Sequence, residues 1–589
     1  MLKSFISRFS SFTYLNVTQF TGALNDNVFK LLIVYLFIHI EGIDQKYNIL
    51  ATTGALFVLP FLLFSTSSGI MADRFSKRNI IVYTKVLELA IMICGVFAFY
   101  YQSKMGSYAI LFLMATQSAV FGPSKYSILP EIVATNKISK ANGLMTFFTF
   151  LAMILGTFFA SLLPDLLGRN FTLGACFCVV VALIGLLTSL CIEQTPPAES
   201  TKRLNTGIYK EISETLALAK QHPSLLLTIF GSAFFLFLGA YVQMNLIPFA
   251  MEFMHLSENQ GGYLFLLTAF GIGAGSYTAG RISGSNVELG LVPIAAFCFA
   301  ICSFMLDIFS GSFYLIPPIV LFIGFFGGMY QIPLDAYIQI TSPSKYRGQI
   351  VATTNFFSFV GVLLASAMMF IVNETLGYKA DTGFAIIGVI TMLVTTVLVY
   401  QFFDYLSRFV GMILSRLHFK MSFSGTKELS NAPTVYVCAH SEWNDILLIL
   451  GAQRRRMRFF IEQQQEHSKW MIRLYRLLRI VSVPSIEPLE NSAMCLSVIR
   501  NTLRKGISVC IFINDENVSQ AFERLKDSFA LKQILEENQY PMIPVLIERK
   551  EKPKSAFSCC SLMRKFRVPV VILFGEQINQ PSPFSDEFH

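Results

Sequence analysis

Long apolar runs constrain the fold of this chain more than any other feature. About twelve stretches of about twenty residues each lie between Tyr14 and Phe403, and each is long enough to cross the hydrocarbon core of a bilayer as a helix. We therefore predict an all-α transmembrane bundle of about twelve helices. The predicted spans centre near Val34, Phe57, Ile91, Leu113, Ala152, Val181, Phe235, Leu267, Phe297, Phe322, Leu363 and Leu393.

The composition changes along the chain. Hydrophobic residues make up 53% of the whole and charged residues 14%, which is outside the usual range of soluble proteins, but charged residues become dense after Arg416. We predict a membrane bundle over residues 1–410, a connector at the membrane interface over 411–425 and an α/β domain over 426–589. The eleven cysteines include no C-x-x-C pair, and no metal site is predicted.

The distribution of Lys and Arg indicates the orientation. When the N-terminus is placed in the cytoplasm, the inner loops hold about three times as many Lys and Arg residues as the outer loops. An even number of spans returns the C-terminus to the same side. We therefore expect a multi-pass membrane protein with both termini in the cytoplasm.

A charged segment, Gly69 to Arg78, lies between the second and third predicted spans. Its glycine permits close approach of two helices, and Asp73 can pair with a neighbouring helix end or a basic side chain. The segment resembles the G-x-x-x-D-R-x-G-R-R loop of the major facilitator superfamily, with Ser76 in place of a glycine. The resemblance implies a gating role for Gly69, Asp73, Arg74 and Arg78. The alternative is a charge signal that sets only the topology.

A short repeat supports the same architecture. The tetrapeptide Pro123 to Tyr126 follows the fourth predicted span and recurs as Pro343 to Tyr346 after the tenth. Equivalent positions in two halves favour a bundle built from two six-helix repeats.

Four ionisable residues fall inside predicted spans, where charge is costly. Asp26 and Lys30 are about one helical turn apart in the first span, and Lys85 and Glu88 are similarly spaced in the third. These residues are candidates for substrate contact, and two purely structural ion pairs are the alternative.

The first half resembles a narrower group. The runs A-L-N-D-N-V-F from Ala23 and F-G-P-S-K-Y-S-I-L-P-E from Phe121, with the charged loop at Gly69, are similar to the bacterial lysophospholipid transporters. The resemblance implies inward movement of lysophospholipid across the bacterial inner membrane. It also implies an associated acyltransferase, since such transporters are often fused to one. A zwitterionic headgroup needs paired charges, which Asp26 and Lys30 would supply.

A second candidate site lies near the start of the last domain. A predicted buried strand from Thr434 to Cys438 leads to His440, and a predicted helix begins near Ile446. A turn at this point would let Asp445 hold one imidazole nitrogen and leave the other as a general base. A histidine and an aspartate at this spacing also occur by chance.

The surrounding residues resemble the glycerolipid acyltransferases. The run Ala439 to Leu448 is similar to their N-H-x-S-x-x-D block, and Gly506 to Phe512 and Pro541 to Val545 are similar to two later strands. The phosphate-binding Pro-Glu-Gly-Arg of that family is replaced by residues 513–516, Ile-Asn-Asp-Glu.

This second resemblance implies that His440 and Asp445 are catalytic in acyl transfer to lysophospholipid. An acyl thioester, on acyl carrier protein or coenzyme A, would be the co-substrate, and no bound cofactor is expected. Expected partners are membrane lipids and lysophospholipid but no nucleic acid. Two alternatives stay open: an inactive docking domain, or a bundle that moves an unrelated solute.

Overall fold

A computed structural model describes residues 10–200, 202, 207–222, 224–256, 258–284, 286–424, 433–439, 444–452, 456–462, 481–483, 493–513, 540–549 and 568–574. The chain divides into two compact units, Met1–Gln401 and Phe402–His589. The predicted functional boundaries at 410 and 425 stay predictions.

The first half of the first unit is helical throughout. Its helices are α1 (Ser11–Glu41), α2 (Lys46–Arg74), α3 (Lys77–Tyr100), α4 (Lys104–Ser127), the short α5 (Leu129–Ile132), α6 (Ile138–Leu166) and α7 (Phe171–Leu190). Side-chain caps mark several of their starts. Ser76 accepts from the Asn79 backbone N–H at the start of α3, so the serine that replaces the expected glycine serves as a helix cap.

The second half repeats this pattern after a connecting segment. Its helices are α8 (Ile208–Lys220), α9 (Leu225–Phe253), α10 (Glu258–Ser283), α11 (Leu291–Ile308), α12 (Ile316–Thr341), α13 (Arg347–Phe370) and α14 (Ala380–Gln401). Each half has its own apolar core. Leu32 and Met92 are buried in the first core, and Val242 and Phe384 in the second.

Eleven helices in the described part of the chain are long and apolar enough to span a membrane. The prediction of an all-helical membrane bundle is confirmed to that extent. The remaining predicted span, centred on Leu267, corresponds to α10, a helix of 26 residues. The glycine and serine residues of α10 lower its apolar character. They also let it pack closely on its neighbours. If Gly280 carried a Cβ atom, that atom would lie only 2.9 Å from the Ser139 carbonyl oxygen of α6.

The tetrapeptide repeat does not occupy equivalent positions, so that prediction was wrong. Pro123 to Tyr126 lies inside α4, whereas Ser344–Tyr346 forms a 3₁₀ turn before α13. The turn that corresponds to it in the first half is Thr135–Lys137, which precedes α6. Proline is tolerated within a membrane helix because neighbouring groups satisfy the freed carbonyl, so the motif alone could not distinguish helix from turn.

The second unit contains a seven-stranded sheet. It begins with helix α15 (Phe403–His418) and continues with β1 (Phe419–Ser424), β2 (Val435–Ala439), α16 (Asn444–Ala452), β3 (Met457–Glu462), β4 (Val481–Val483), α17 (Ala493–Arg504), β5 (Ser508–Ile513), β6 (Met542–Arg549) and β7 (Val568–Phe574). The strand order is β1-β7-β6-β2-β5-β3-β4. Only the β6–β7 pair is antiparallel, so this mixed sheet agrees with the predicted α/β class.

Within the predicted connector, residues 411–425, the structure describes residues 411–424. Its first part completes α15, in which Phe409 and Met412 are buried, and its second part is strand β1, paired in parallel with β7. These residues therefore belong to the folded second unit. Their location at a membrane interface stays a prediction.

Candidate functional site

Two of the four charged residues predicted for the substrate site form an ion pair. Lys85 Nζ lies 2.6 Å from Glu88 Oε2 on α3, and each side chain is 1% exposed. The spacing of three residues places both groups on one face of the helix. The two residues form the ion pair that the structural alternative describes, and substrate contact by them stays a prediction.

Glu88 also joins three helices. Its Oε1 accepts from Asn25 Nδ2 of α1 at 3.1 Å, and its Oε2 accepts from Gln117 Nε2 of α4 at 3.4 Å. Lys85 Nζ lies 5.0 Å from the centre of the Phe121 ring, a distance typical of a cation–π contact. The buried charges are thus satisfied by side chains from α1, α3 and α4 together.

Asp26 and Lys30 do not pair with each other. No salt bridge within the described residues joins them, and both are half-buried. Ser118 Oγ donates to Asp26 Oδ2 at 2.8 Å, while Lys30 Nζ lies 5.0 Å above the Phe57 ring. Their opposite charges, which are not neutralised by direct contact, could receive the two charges of a zwitterion.

Two members of this network, Gln117 and Ser118, were missed by sequence reasoning. Both are polar residues in the apolar run of α4, and that was the signal that could have identified them. Ser118 Oγ also contacts Gln117 Oε1 at 3.1 Å, which links Asp26 to the Glu88 cluster.

The predicted gating segment contacts the second half of the bundle. Asp73, at the end of α2, accepts from the backbone N–H groups of Gly348 at 2.6 Å and Gln349 at 2.9 Å. These groups belong to the first turn of α13, where unpaired N–H groups and the helix dipole favour a carboxylate. The sequence left two partners open for Asp73, a neighbouring helix end or a basic side chain. In the structure, Asp73 bonds to the helix end.

Gly69 makes this contact sterically feasible. A Cβ at position 69 would lie 2.7 Å from the Gly348 carbonyl oxygen and 2.5 Å from Ala352 Cβ. Helices α2 and α13 therefore cross here with almost no space between them. Gly69 and Asp73 act in the same contact, which joins the two halves.

The two gating arginines lie in different surroundings. Arg74 is exposed and lies over the Phe75 ring at 5.7 Å. Arg78 donates to the carbonyls of Leu190 at 3.0 Å and Ile192 at 3.3 Å, so it holds the end of α7 and the start of the segment that joins the halves. The motif thus combines one inter-half contact with one contact inside the first half.

The second candidate site is described in part. His440 lies outside the described residues. Asp445 is 2% exposed and occupies the second position of α16, and the predicted turn before the helix lies outside the described residues. Burial, and secondarily the Asp445 charge, raise the pKa of Cys438, which lies on strand β2.

The three acyltransferase-like segments fall on adjacent strands. β2, which leads to His440, lies between β6 and β5, and all three run parallel. Ala439 pairs with Ile513, so the carboxyl ends of β2 and β5 lie at the same edge of the sheet. The carboxyl ends of parallel strands are a common location for binding sites.

Comparison with known proteins identifies the class of the first unit. The first unit is a bundle of apolar helices in two halves, which meet where Asp73 accepts from the first turn of α13. Residues 15–366 match the family model for the Major Facilitator Superfamily. The chain belongs to the major facilitator superfamily.

Two bacterial relatives match more than half of the chain. The lysophospholipid transporter LplT of Photorhabdus laumondii is 23% identical over 395 residues, which cover 66% of this chain and 95% of that protein. LplT of Klebsiella pneumoniae is 25% identical over 359 residues, covering 59% and 84%.

Two solved structures share the fold. The human organic anion transporter MFSD10 superposes with a TM-score of 0.55 at 16% identity, covering 66% of this chain and 99% of that one. A bacterial homologue of the iron transporter ferroportin, in an outward-facing state, gives 0.54 at 13% identity, covering 68% and 100%.

Proposed function

We propose that the first unit transports lysophospholipid. The observation that carries this proposal is the similarity to several LplT proteins across most of their length. The unpaired charges of Asp26 and Lys30 suit the phosphate and ammonium groups of a zwitterionic headgroup, with Lys30 facing the phosphate and Asp26 the ammonium. The Lys85–Glu88 pair and its partners hold α1, α3 and α4 in place around them.

We further propose inward movement across a bacterial inner membrane, with both termini in the cytoplasm. The excess of Lys and Arg on the loops that include Arg74 and Arg78 supports this orientation. The contact of Asp73 with α13 would then close the cytoplasmic end of the pathway.

For the second unit we propose acyl transfer to the delivered lysolipid. His440 would remove the proton from the free glycerol hydroxyl, and the oxygen would attack the carbonyl of an acyl thioester, releasing the thiol. Asp445 would orient the imidazole. The carrier of the thioester would be acyl carrier protein or coenzyme A, and the altered residues 513–516 leave open an inactive docking domain as the alternative.

Reconstitution of the full chain in liposomes tests both activities. Labelled lysophosphatidylethanolamine is supplied on the outer face of the transporter and an acyl thioester on the cytoplasmic face. We expect diacyl product with the wild type, and lysolipid movement without product for His440→Ala. His418→Ala, which removes an imidazole from α15 of the same unit, is the matched control and should keep both activities.

The transport site is tested in the same assay by Asp26→Asn combined with Lys30→Met. Unchanged lysolipid movement in this variant would contradict the assignment of the site. If the wild type moves the lysolipid but makes no diacyl product, the second unit is a docking domain.

A further inference from the structure

Helix α15 exposes a row of apolar side chains, which we call the outer stripe. It consists of Val410, Ile413, Leu414 and Leu417, all between 38% and 61% exposed. The four residues are spaced three or four positions apart along one face, so they share an arc of about 100° on the helix surface. A single exposed apolar side chain is ordinary, but four on one face form a continuous patch of the kind that marks an interaction surface.

Polar residues of the same helix are turned inward. Arg408 is 2% exposed and Ser415 is fully buried. Asp404 pairs with Arg458 of β3, with 3.7 Å between Oδ2 and Nη2. Because each residue turns the helix by about 100°, Asp404, Arg408 and Ser415 share a face, and that face lies away from the outer stripe.

The inward side of α15 is fixed by close packing on α16. A Cβ at Gly411 would lie 2.8 Å from Leu450 Cδ1, and Phe409 and Met412 are buried on the same side of α15. A rotation that buried the outer stripe would separate these packed surfaces. The outer stripe is therefore left without a partner among the described residues of the second unit.

This arrangement differs from that of a helix on the surface of a water-soluble domain. Such a helix turns its apolar stripe to the core and its charged side chains to water. In α15, Arg408 is buried whereas Leu414 and Leu417 are exposed. Exposure of apolar surface to water is unfavourable, so the outer stripe is expected to meet an apolar medium.

The position of α15 in the chain identifies that medium. Only Phe402 separates its first residue, Phe403, from Gln401, which ends the membrane span α14. Two residue steps of about 3.8 Å each join the two helices, so α15 begins at the surface of the membrane that α14 spans. Arg416 and Lys420, near its other end, are exposed, and basic side chains are attracted to the phosphates of lipid headgroups.

We propose that the outer stripe of α15 is inserted into the interfacial layer of a phospholipid bilayer, with the helix lying in the plane of the membrane. Helices of this kind bury their apolar face about 5–10 Å into the boundary between headgroups and acyl chains. The connector predicted from the sequence began at residue 411 and specified no face, whereas this surface belongs to a helix that begins at Phe403. The proposal depends on neither of the proposed activities.

Spin-label accessibility in the full chain tests this docking surface. Leu414→Cys or Leu417→Cys is labelled with a nitroxide, in a background without the native cysteines, and reconstituted in vesicles of phosphatidylethanolamine and phosphatidylglycerol. Collision rates of the nitroxide are measured with oxygen, which concentrates among acyl chains, and with a neutral nickel chelate, which stays in water. We expect oxygen collisions to exceed nickel collisions at both positions.

Arg416→Cys is the matched control, because position 416 is exposed on the same helix but lies outside the outer stripe. Nickel collisions should exceed oxygen collisions there. A nickel excess at positions 414 and 417 would show that the stripe faces water. Low collision rates with both reagents would show that protein covers it, either from this chain or from a second copy. Either result overturns the proposal.

A second measurement needs no substitution. The unmodified chain is reconstituted with a phospholipid that carries a photoreactive diazirine in its acyl chain, irradiated and digested with trypsin. We expect lipid adducts on the peptide 409–416, which contains Val410, Ile413 and Leu414. Adducts confined to the membrane spans overturn the proposal. Neither measurement involves transport or acyl transfer, so its failure is distinguishable from a failure of either proposed activity.

Discussion

At the scale of single residues, Glu88 is the point on which the buried network of the first half converges. It pairs with Lys85 and accepts from Asn25 and Gln117. A carboxylate at this depth is stable only while its cation and donors stay in place. The predicted spacing identified Lys85 as its partner, but the contributions of α1 and α4 depended on packing.

Removal of one charge from the pair should be strongly destabilising. Glu88→Gln leaves the Lys85 ammonium buried without a counter-charge, and we expect a loss of about 3–5 kcal/mol in unfolding free energy. The double variant Lys85→Met with Glu88→Leu should recover most of it. Denaturant unfolding in detergent measures both.

The exposed pair Lys104 and Glu41 supplies the control. Its side chains are 50% and 25% exposed, so Lys104→Met should cost at most about 1 kcal/mol. Equal losses for Glu88→Gln and Lys104→Met would show that the buried pair has no special role.

At the scale of secondary-structure elements, glycine determines where the two halves meet. A Cβ at Gly348 would lie 2.7 Å from both Asp73 Oδ1 and the Gly69 carbonyl oxygen. Nearer its other end, α2 has open space around Gly54, where nothing lies within 4 Å of an added Cβ. The same helix is therefore tightly packed at one end only.

Gly348→Ala should open this end of the bundle. The added methyl group cannot coexist with the Asp73 contact, so the equilibrium should move toward a state in which α2 and α13 separate. Spin labels are attached to cysteines placed at positions 136 and 344, in a background without the native cysteines. Double electron–electron resonance should report a longer distance between the two labels in Gly348→Ala than in the parent protein. Gly54→Ala should leave the distance unchanged. An unchanged distance in Gly348→Ala would contradict the view that the Asp73 contact holds α2 and α13 together.

The central strands of the second unit should protect their thiols. Cys438 of β2 and Cys510 of β5 are buried, and burial raises the pKa of both. We expect slow alkylation by N-ethylmaleimide at neutral pH in the native state and fast alkylation in urea. Peptide mass spectrometry measures the alkylation of each cysteine, and the half-exposed Cys191 is the reactive control. Rapid labelling of Cys438 in the native state would contradict its burial in the sheet.

The raised pKa of Cys438 and Cys510 makes the free energy of unfolding depend on pH. A cysteine in the unfolded chain loses its proton at about pH 8.5. In the folded state the thiols of Cys438 and Cys510 keep their protons at that pH. Above that pH the unfolded state binds fewer protons, so the free energy of unfolding should fall as pH rises.

At the scale of the whole molecule, the two units have separate apolar cores. Leu32 is fully buried among helices of the first unit, and Ile543 is buried in the sheet of the second. A unit with its own core can unfold as a unit. The chain should therefore show two thermal transitions.

Two substitutions assign these transitions. Ile543→Ala should lower only one and Leu32→Ala only the other, each by about 2–5 kcal/mol in unfolding free energy because each leaves a cavity. Differential scanning calorimetry of the full chain measures both. A single transition that shifts equally in both variants would contradict independent cores.

The sequence by itself determined the apolar spans, the Lys85–Glu88 pair, and the strand and helix that precede and contain Asp445. Hydropathy over twenty residues and spacing within one helical turn are local properties, which the sequence contains in full. Only the tertiary structure decided that Asp73 meets α13, that Asp26 bonds Ser118 and not Lys30, and that β2 lies between β5 and β6. Those partners are far apart in sequence, and their meeting depends on how whole helices and strands pack, which no local pattern specifies.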